Sequence, residues 1–355
     1  MHVVFPKPRI KESFLPRFES HLRENGYPDV TINAQHPYEA LSGGISRQTL
    51  RLHCMQNGEA VDFIVSVEHT HDWPHKKNFL PPTSILDIQN KMADAGVPTP
   101  KPIGSVEELP DGLCFKIKPV IEDAHYMQNP TDEQMRQLGR LVGKLHLVGM
   151  RLDVDVAQQC EAKEKSKPPI LKRVRALSSR LASNAFNPNG PSWKDVAAMR
   201  NNKSKALVER KDLPNGILHG DLNAHNILLD KDENFQIIDW ELSRPGALLH
   251  EVVRTIMSHS VVADPDGHEY FKPDQADMFL QGYNEVRPLT PIERKEFPHA
   301  MTEYTARAAV IQPLNHHHKH AADWRQIKQD VAVWLRAKHP MRQLQGQGEM
   351  VISPA

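Results

Sequence analysis

Three polar side chains stand out by type and spacing. Asp221 and Asn226 lie in Ile217-Leu218-His219-Gly220-Asp221-Leu222-Asn223-Ala224-His225-Asn226, and Asp239 in Ile237-Ile238-Asp239-Trp240-Glu241. Asn226–Asp230 and Phe235–Asp239 are apolar-rich runs joined by the polar residues Lys231 to Asn234, which predicts an antiparallel hairpin. With that loop, Asp230 pairs with Phe235 and Asn226 falls opposite Asp239. Cross-strand partners have Cβ atoms about 4.5–5.5 Å apart, close enough for an amide oxygen and a carboxylate to share one hard cation. Magnesium suits such a pair, because it takes oxygen ligands and fills its remaining positions with water and phosphates. Asp221, in the turn after Ile217-Leu218, offers a carboxylate to accept a proton from an attacking hydroxyl. Orienting a nucleophile while a metal neutralises phosphates is the division of labour that phosphoryl transfer needs. His219 reads as a structural residue hydrogen-bonded beneath the loop rather than an acid–base group.

The elements that must position these residues are legible in outline. Phe14, Leu15, Phe18 and Leu22 recur at helical spacing between Lys11 and Glu24. Thr49–Cys54 and Val61–Val67 read as strands around Asn57-Gly58, the strongest short hairpin signal. In the second, Val61, Phe63, Val65 and Val67 face one way, and Asp62, Ile64, Ser66 and Glu68 the other. A helix is expected from Ser84 to Ala95, ending at Gly96, then a strand from Leu113 to Lys118. Thr131-Asp132-Glu133-Gln134 is a capping box opening a helix through Leu138, Leu141 and Leu145. Thr290-Pro291-Ile292-Glu293 is a second, opening helices expected to break at Pro298 and Pro313. Gln343–Ala355 lacks periodicity and reads as a loose tail.

The 355 residues suggest two lobes or domains, and balanced charge (44 basic, 44 acidic) argues against a protein whose surface exists to hold nucleic acid. No apolar run approaches the ~20 residues that span a bilayer, and the amino terminus breaks too early for a signal-peptide core, so a cytoplasmic protein is expected. Cys54, Cys114 and Cys160 form neither a disulfide framework nor a zinc pattern and read as reduced, mostly buried thiols. Histidines cluster at His69, His71 and His75 and at His316-His317-His318-Lys319-His320; polar loops or pocket lining fit them better than a structural metal site. Arg151–Gly216 carries 14 Lys or Arg against 7 Asp or Glu, an excess of +7. Such a stretch is usually a solvated helical surface, and functionally one that attracts an anionic or neutral partner.

His219-Gly220-Asp221-Leu222 with Asn226 resembles the catalytic loop of the aminoglycoside phosphotransferase and choline kinase-like family, relatives of the protein kinases. Ile238-Asp239-Trp240-Glu241 resembles its metal-binding segment, and the gaps between the three polar residues match the kinase pattern. Leu41-Ser42-Gly43-Gly44-Ile45-Ser46 looks like its phosphate loop, Gly96-Val97-Pro98-Thr99-Pro100 its helix-to-strand connection, and Leu138–His146 the helix supporting its active site.

The resemblance implies an α+β, two-lobed protein-kinase-like fold: a small antiparallel-sheet nucleotide lobe over residues 1–120, a mostly helical catalytic and acceptor lobe over 121–342, and a tail over 343–355. It implies a magnesium-dependent transfer of the γ-phosphate of ATP or GTP to a hydroxyl of a small molecule. Asp221 would orient or deprotonate the nucleophile, and Asn226 and Asp239 would bind metal. Ser42, Gly43 and Gly44 would meet phosphate, and Lys118 to Val120 would be the hinge against the base. Where the family offers a lysine on its third small-lobe strand, this chain has Ser66, and the usual carboxylate partner would fall at Asp87. Arg47 or Arg51, or a shifted Lys76 or Lys77, would then supply the charge; a degraded, nucleotide-binding pseudokinase is the alternative, and a protein acceptor another. His225 replaces a frequent glycine and would contact substrate or be a benign change. Glu251 stands where relatives carry an aspartate that braces the catalytic loop, and Glu241 is a further substrate or structural candidate. Polycationic aminoglycosides prefer acidic walls, so the +7 excess points to a neutral or anionic metabolite. Acceptor, nucleotide base and oligomeric state stay open at this level.

Overall fold

The computed structural model describes residues 10–41, 47–69, 80–152, 212–315 and 321–336. Ser42, Gly43 and Gly44, Lys76 and Lys77, most of both histidine clusters, nearly all of the basic 151–216 stretch and the tail lie outside the described residues. The chain forms two compact units.

The first unit takes its residues from the chain up to Tyr126 and from Asn226–Arg244. Helix α1 (Leu15–Glu24), preceded by a short 3-10 turn, lies on a sheet of β1 (Thr31–Ile32), β2 (Tyr38–Ala40), β3 (Gln48–Gln56), β4 (Glu59–His69), β5 (Ile103–Leu109) and β6 (Leu113–Pro119). The central order is β1-β3-β4-β6-β5, antiparallel throughout, with β2 also on β3. Asn57 and Gly58 both take positive φ (52° and 84°), the two-residue turn that fits strand twist, and β3 and β4 outrun their expected lengths. Phe18 and Leu22 of α1 pack on Leu50, Val65, Phe115 and Ile117, so the alternating apolar side of each strand forms the core. Helix α2 (Pro82–Asp94) precedes β5. A second, three-stranded sheet is ordered β10 (Phe235–Ile237), β9 (Ile227–Leu229), β7 (His125–Tyr126).

The second unit holds Met127–Arg151, the described residues leading to His225 and those from Pro245 on. The Thr131 capping box forms: Thr131 Oγ1 accepts from Gln134 N, and Gln134 Oε1 from Thr131 N. It opens α3 (Asp132–Gly149). β8 (Asn215–Leu218) pairs with β11 (Arg244–Ala247), which leads into α4 (Leu248–Ser260); β12 (Val261–Ala263) and β13 (Glu269–Phe271) follow, then α5 (Pro273–Val286), α6 (Pro291–Asn315) and α7 (Ala321–Arg336). Helices α3 and α5 meet backbone to backbone. A Cβ at Gly139 would sit 2.1 Å from Phe279 O, and one at Gly282 1.9 Å from Arg136 O, so only glycine allows the contact. The second capping box also forms at Thr290 and Glu293, but α6 runs unbroken through Pro298 and Pro313, against expectation. The Pro298 carbonyl accepts from Thr302 Oγ1 one turn on. Among the described residues no helix is long and apolar enough to cross a membrane.

Candidate active site

In the second unit, β8 delivers the chain into the loop that carries Asp221. Gly220 takes φ +85°, a turn that side-chain-bearing residues resist, and Asp221 emerges from it. Glu251, buried on α4, accepts from the backbone N–H of His219 (3.1 Å) and of Gly220 (2.5 Å). Its other partner is His146 Nε2 on α3, 3.2 Å away. His146 Nδ1 lies 2.8 Å from the Tyr283 hydroxyl, which in turn accepts from Arg287, itself paired with buried Glu293. A carboxylate can only accept, so His146 donates to it through Nε2–H, while Nδ1 lies at hydrogen-bond distance from the Tyr283 hydroxyl. Burial alone would push the Glu251 carboxyl up; the hydrogen bond and field of His146, the field of His219 and the Gly220 amide outweigh it and hold the group below the ordinary glutamate value. His219 is fully buried, its Nδ1 accepting from Asp221 N at 3.3 Å. Arg254, one turn after Glu251, donates to the Gly220 carbonyl and to Asp221 Oδ1. The loop is therefore fixed through its backbone, and its carboxylate is oriented by a guanidinium. Arg254 was absent from the sequence-level candidates; its signal, a cation one turn beyond a loop-bracing carboxylate, depends on knowing where α4 begins.

In the first unit, the β9–β10 ribbon brings Asn226 and Asp239 to the same end, with a register one residue away from the expected one. Leu229 pairs with Phe235 and Ile227 with Ile237, so Asn226 stands opposite Ile238, and Ile238 N donates to Asn226 O at 3.0 Å. The cause is Asp230, which leaves the strand for the turn: its Oδ1 accepts from the backbone of Asp232 and Asn234, and Glu233 adopts φ +60°. Asp239 follows at φ +65°, which re-aims its side chain after the strand ends. Two contacts pin this segment on the 96–100 connection: Ile237 N to Pro98 O (2.8 Å) and Trp240 Nε1 to Thr99 Oγ1 (2.9 Å). Gln89 of α2 secures that connection in turn through Pro100 O and Thr99.

A set of charges surrounds Asp239. Arg47 reaches its carboxylate at 3.0 and 3.2 Å and also pairs with Glu241. Glu241 is buried and accepts from Lys116 of β6 at 3.3 Å. Lys118 lies two residues further along β6; burial first, then Lys116 and Arg47, hold its ammonium well below the ordinary lysine value. Two of the candidate residues have other partners here. Asp87 does not partner the sheet; it pairs with Lys91 one turn along α2, half exposed to solvent. Arg51 is tied to Asp62 (2.5 Å) and more loosely to Glu122. Ser66 is buried on β4, and Val120 follows directly after β6. His225 is exposed, its N–H donating to Asn223 Oδ1.

Asn226 and Asp239 offer the hard oxygen donors that a divalent cation takes, and Asp239 already holds a cation, the Arg47 guanidinium. The donor set therefore fits a metal that completes its shell with phosphates. Among the described residues no group of three His, Cys, Asp or Glu side chains is placed to hold a metal by itself.

Comparison with known proteins supplies the family. A model described as the phosphotransferase enzyme family matches residues 38–291, well over half of the chain. The homoserine kinase of Methylobacillus flagellatus is 23% identical over 261 residues, covering 68% of this chain and 70% of its own. That of Methylobacterium nodulans is 22% identical over 276 residues, 76% and 78% of the two chains. Among solved structures, an amicoumacin kinase in complex with AMP-PNP and Ca²⁺ matches 94% of this chain and all of its own at 13% identity and TM-score 0.56. A microcompartment-associated aminopropanol kinase matches 90% and 98% at 14% identity and TM-score 0.53. The fold is the two-lobed kinase-like one.

Proposed function

We propose, from the premise that this chain belongs to the phosphotransferase enzyme family, that it moves the γ-phosphate of magnesium-bound ATP or GTP to the hydroxyl of a small amino alcohol or hydroxy amino acid of the homoserine type. That it is a kinase for a small-molecule hydroxyl follows from the family; the donor, the metal and the acceptor class are the inferred parts. The observation that carries the reading is the Ile238–Asn226 hydrogen bond, which brings two hard oxygen donors to one end of a ribbon, near the cations of Arg47 and Lys116. The +7 excess in the 151–216 stretch supports the hydroxy amino acid, which bears a carboxylate, over the cationic amino alcohol.

Asp221 is assigned to the acceptor hydroxyl: its carboxylate aligns the oxygen and receives the proton as that oxygen bonds to the γ-phosphorus and the bond from the γ-phosphorus to the β,γ-bridging oxygen breaks, releasing ADP or GDP. Arg254 keeps that carboxylate aimed, and Glu251 keeps the loop beneath it still. Asn226 and Asp239 are assigned to the metal, which when bound would screen the phosphate charge. Arg47, which pairs with Asp239, would be available to phosphate with the metal on that carboxylate. Ser42, Gly43 and Gly44 are assigned to the phosphates and Lys118 to Val120 to the base, on the family resemblance. The nucleotide belongs to the sheet-bearing unit and the acceptor to the unit carrying Asp221. Buried, free Cys54 and Cys114 support a reducing, cytoplasmic setting.

The test is ADP release from MgATP against a panel of hydroxylated small molecules headed by homoserine and aminopropanol. The expected result is acceptor-dependent release that falls about 10²–10⁴-fold in Asp221→Ala. Release independent of every acceptor, or unchanged in the variant, overturns the reading.

A further inference from the structure

The loop chemistry leaves unassigned a buried ammonium in the sheet-bearing unit. Lys116 stands on β6 directly opposite Ser66 on β4. Its side chain is only 4% exposed, and Nζ lies 3.0 Å from Glu68 Oε1 and 3.3 Å from Glu241 Oε1. Phe63, Val65 and Val67 of β4 and Phe115 and Ile117 of β6 belong to the core, so alternation puts Ser66, Glu68 and Lys116 together on the other side of the sheet. That side leads to Asp239, because Glu241 is shared between Lys116 and Arg47, and Arg47 holds Asp239.

The geometry makes residues 66 and 116 interchangeable sources of one charge. Directly paired residues have Cβ atoms only about 4.5–5.5 Å apart, within the reach of a lysine stem. A lysine from position 116 therefore covers the space that one from position 66 would fill, and the small Ser66 side chain leaves that space open. The carboxylate that steadies it has moved as well. Asp87 on α2 is spent on Lys91, and Glu68, two residues beyond Ser66 on the same strand, takes its place. A buried ammonium costs free energy unless paired, and here the pairing carboxylates come from the strand beside it and from the segment that carries Asp239.

We propose that Lys116 is a phosphate-binding cation of this chain beside Arg47, aligned by Glu68 and Glu241 and replacing from the adjacent strand the lysine absent at Ser66. The proposal rests on the nucleotide reading given above. It also removes the one feature that favoured a degraded, non-catalytic kinase.

The test is titration calorimetry of the full chain with MgATP and, separately, with adenosine, or with MgGTP and guanosine if the parent prefers them. A phosphate-binding lysine contributes to the nucleotide and not to the nucleoside. Lys116→Met is expected to lower the ratio of MgATP to adenosine affinity at least about tenfold. A smaller fall in that ratio, including equal weakening of both ligands as a purely structural lysine would give, overturns the proposal. Should Lys116→Met fail to fold, Lys116→Gln, neutral but still able to donate to Glu68 and Glu241, carries the same test: a fall in the ratio of at least about tenfold supports the proposal, and a smaller one overturns it. A parent that binds neither MgATP nor adenosine refutes the nucleotide reading itself and the proposal with it. A parent that binds both while Lys116→Met keeps their ratio refutes only the role of Lys116.

Discussion

The two units hold their polar groups by different means. In the sheet-bearing unit, Arg47, Lys116 and Lys118 share one small region with Glu68, Asp239 and Glu241, and the pairs join charged side-chain ends. Such pairs can be exchanged: a phosphate can replace a carboxylate on Arg47, and a metal can replace Arg47 on Asp239. In the helical unit, Glu251 accepts two backbone N–H groups, and a buried relay of His146, Tyr283, Arg287 and Glu293 stands behind it. No ligand can substitute for those bonds without unfolding the loop. One region is built to trade partners and the other to keep them.

The comparison is broken most directly at Glu251. Glu251→Ala strands two amide donors and His146 in the interior, and is expected to cost about 3–5 kcal/mol in denaturant unfolding. A loss below about 1 kcal/mol would show that the loop is not braced there. Acid acts next. His259, buried on α4, is pushed down to about 4 from 6.5, chiefly by burial. The native state therefore disfavours the proton, and the associated stability is present above pH 6.5 and drains away as pH falls toward 4. At 1.36 kcal/mol per pH unit this amounts to about 3 kcal/mol. Unfolding curves at pH 7, 5 and 4 should show it, and His259→Gln should flatten it; a variant with the parent's slope refutes the assignment. Glu251, held below 4.5, starts to lose its contribution only below pH 4.5, so the fall between pH 6.5 and 5 belongs to His259.

Gly139→Ala tests the rigid side from its frame. A methyl driven into Phe279 O should cost about 1–3 kcal/mol, read as a lower denaturation midpoint at unchanged slope. The smallest effect is expected on the exchangeable side but away from Asp239. Arg51 is over a third exposed, so its pair with Asp62 is screened, and Arg51→Ala should change stability by less than about 1 kcal/mol. A larger loss would show that this sheet face depends on its peripheral ion pairs as well.

Much of this was legible in the chain where the signal is local. Asn57-Gly58 dictates its own turn, and the capping boxes at Thr131 and Thr290 form as written, because each satisfies backbone donors within one turn. Non-local relations escaped. The hairpin register slipped because Asp230 reads equally well as a strand end or a turn residue, and only its bonds to Asp232 and Asn234 decide. Lys116 could not be matched to Ser66 without the β4–β6 register, which joins strands separated by a helix and another strand. The Asp87–Lys91 pair was available as an i,i+4 spacing and outweighs a partnership assigned by analogy. Pro298 shows the limit of a breaker rule: a long helix held in place tolerates one missing N–H.

The glycine contact between α3 and α5 has a consequence for how this molecule can vary. Two backbones that touch with nothing between them form a seam without slack, so neither helix can slide or roll without the other. His146 and Tyr283, which begin the relay to the Asp221 loop, ride on these two helices and inherit their fixed spacing. Sequence drift can redecorate the outer faces of the pair freely, but a single methyl at the seam would be felt as misalignment at the far end of the relay.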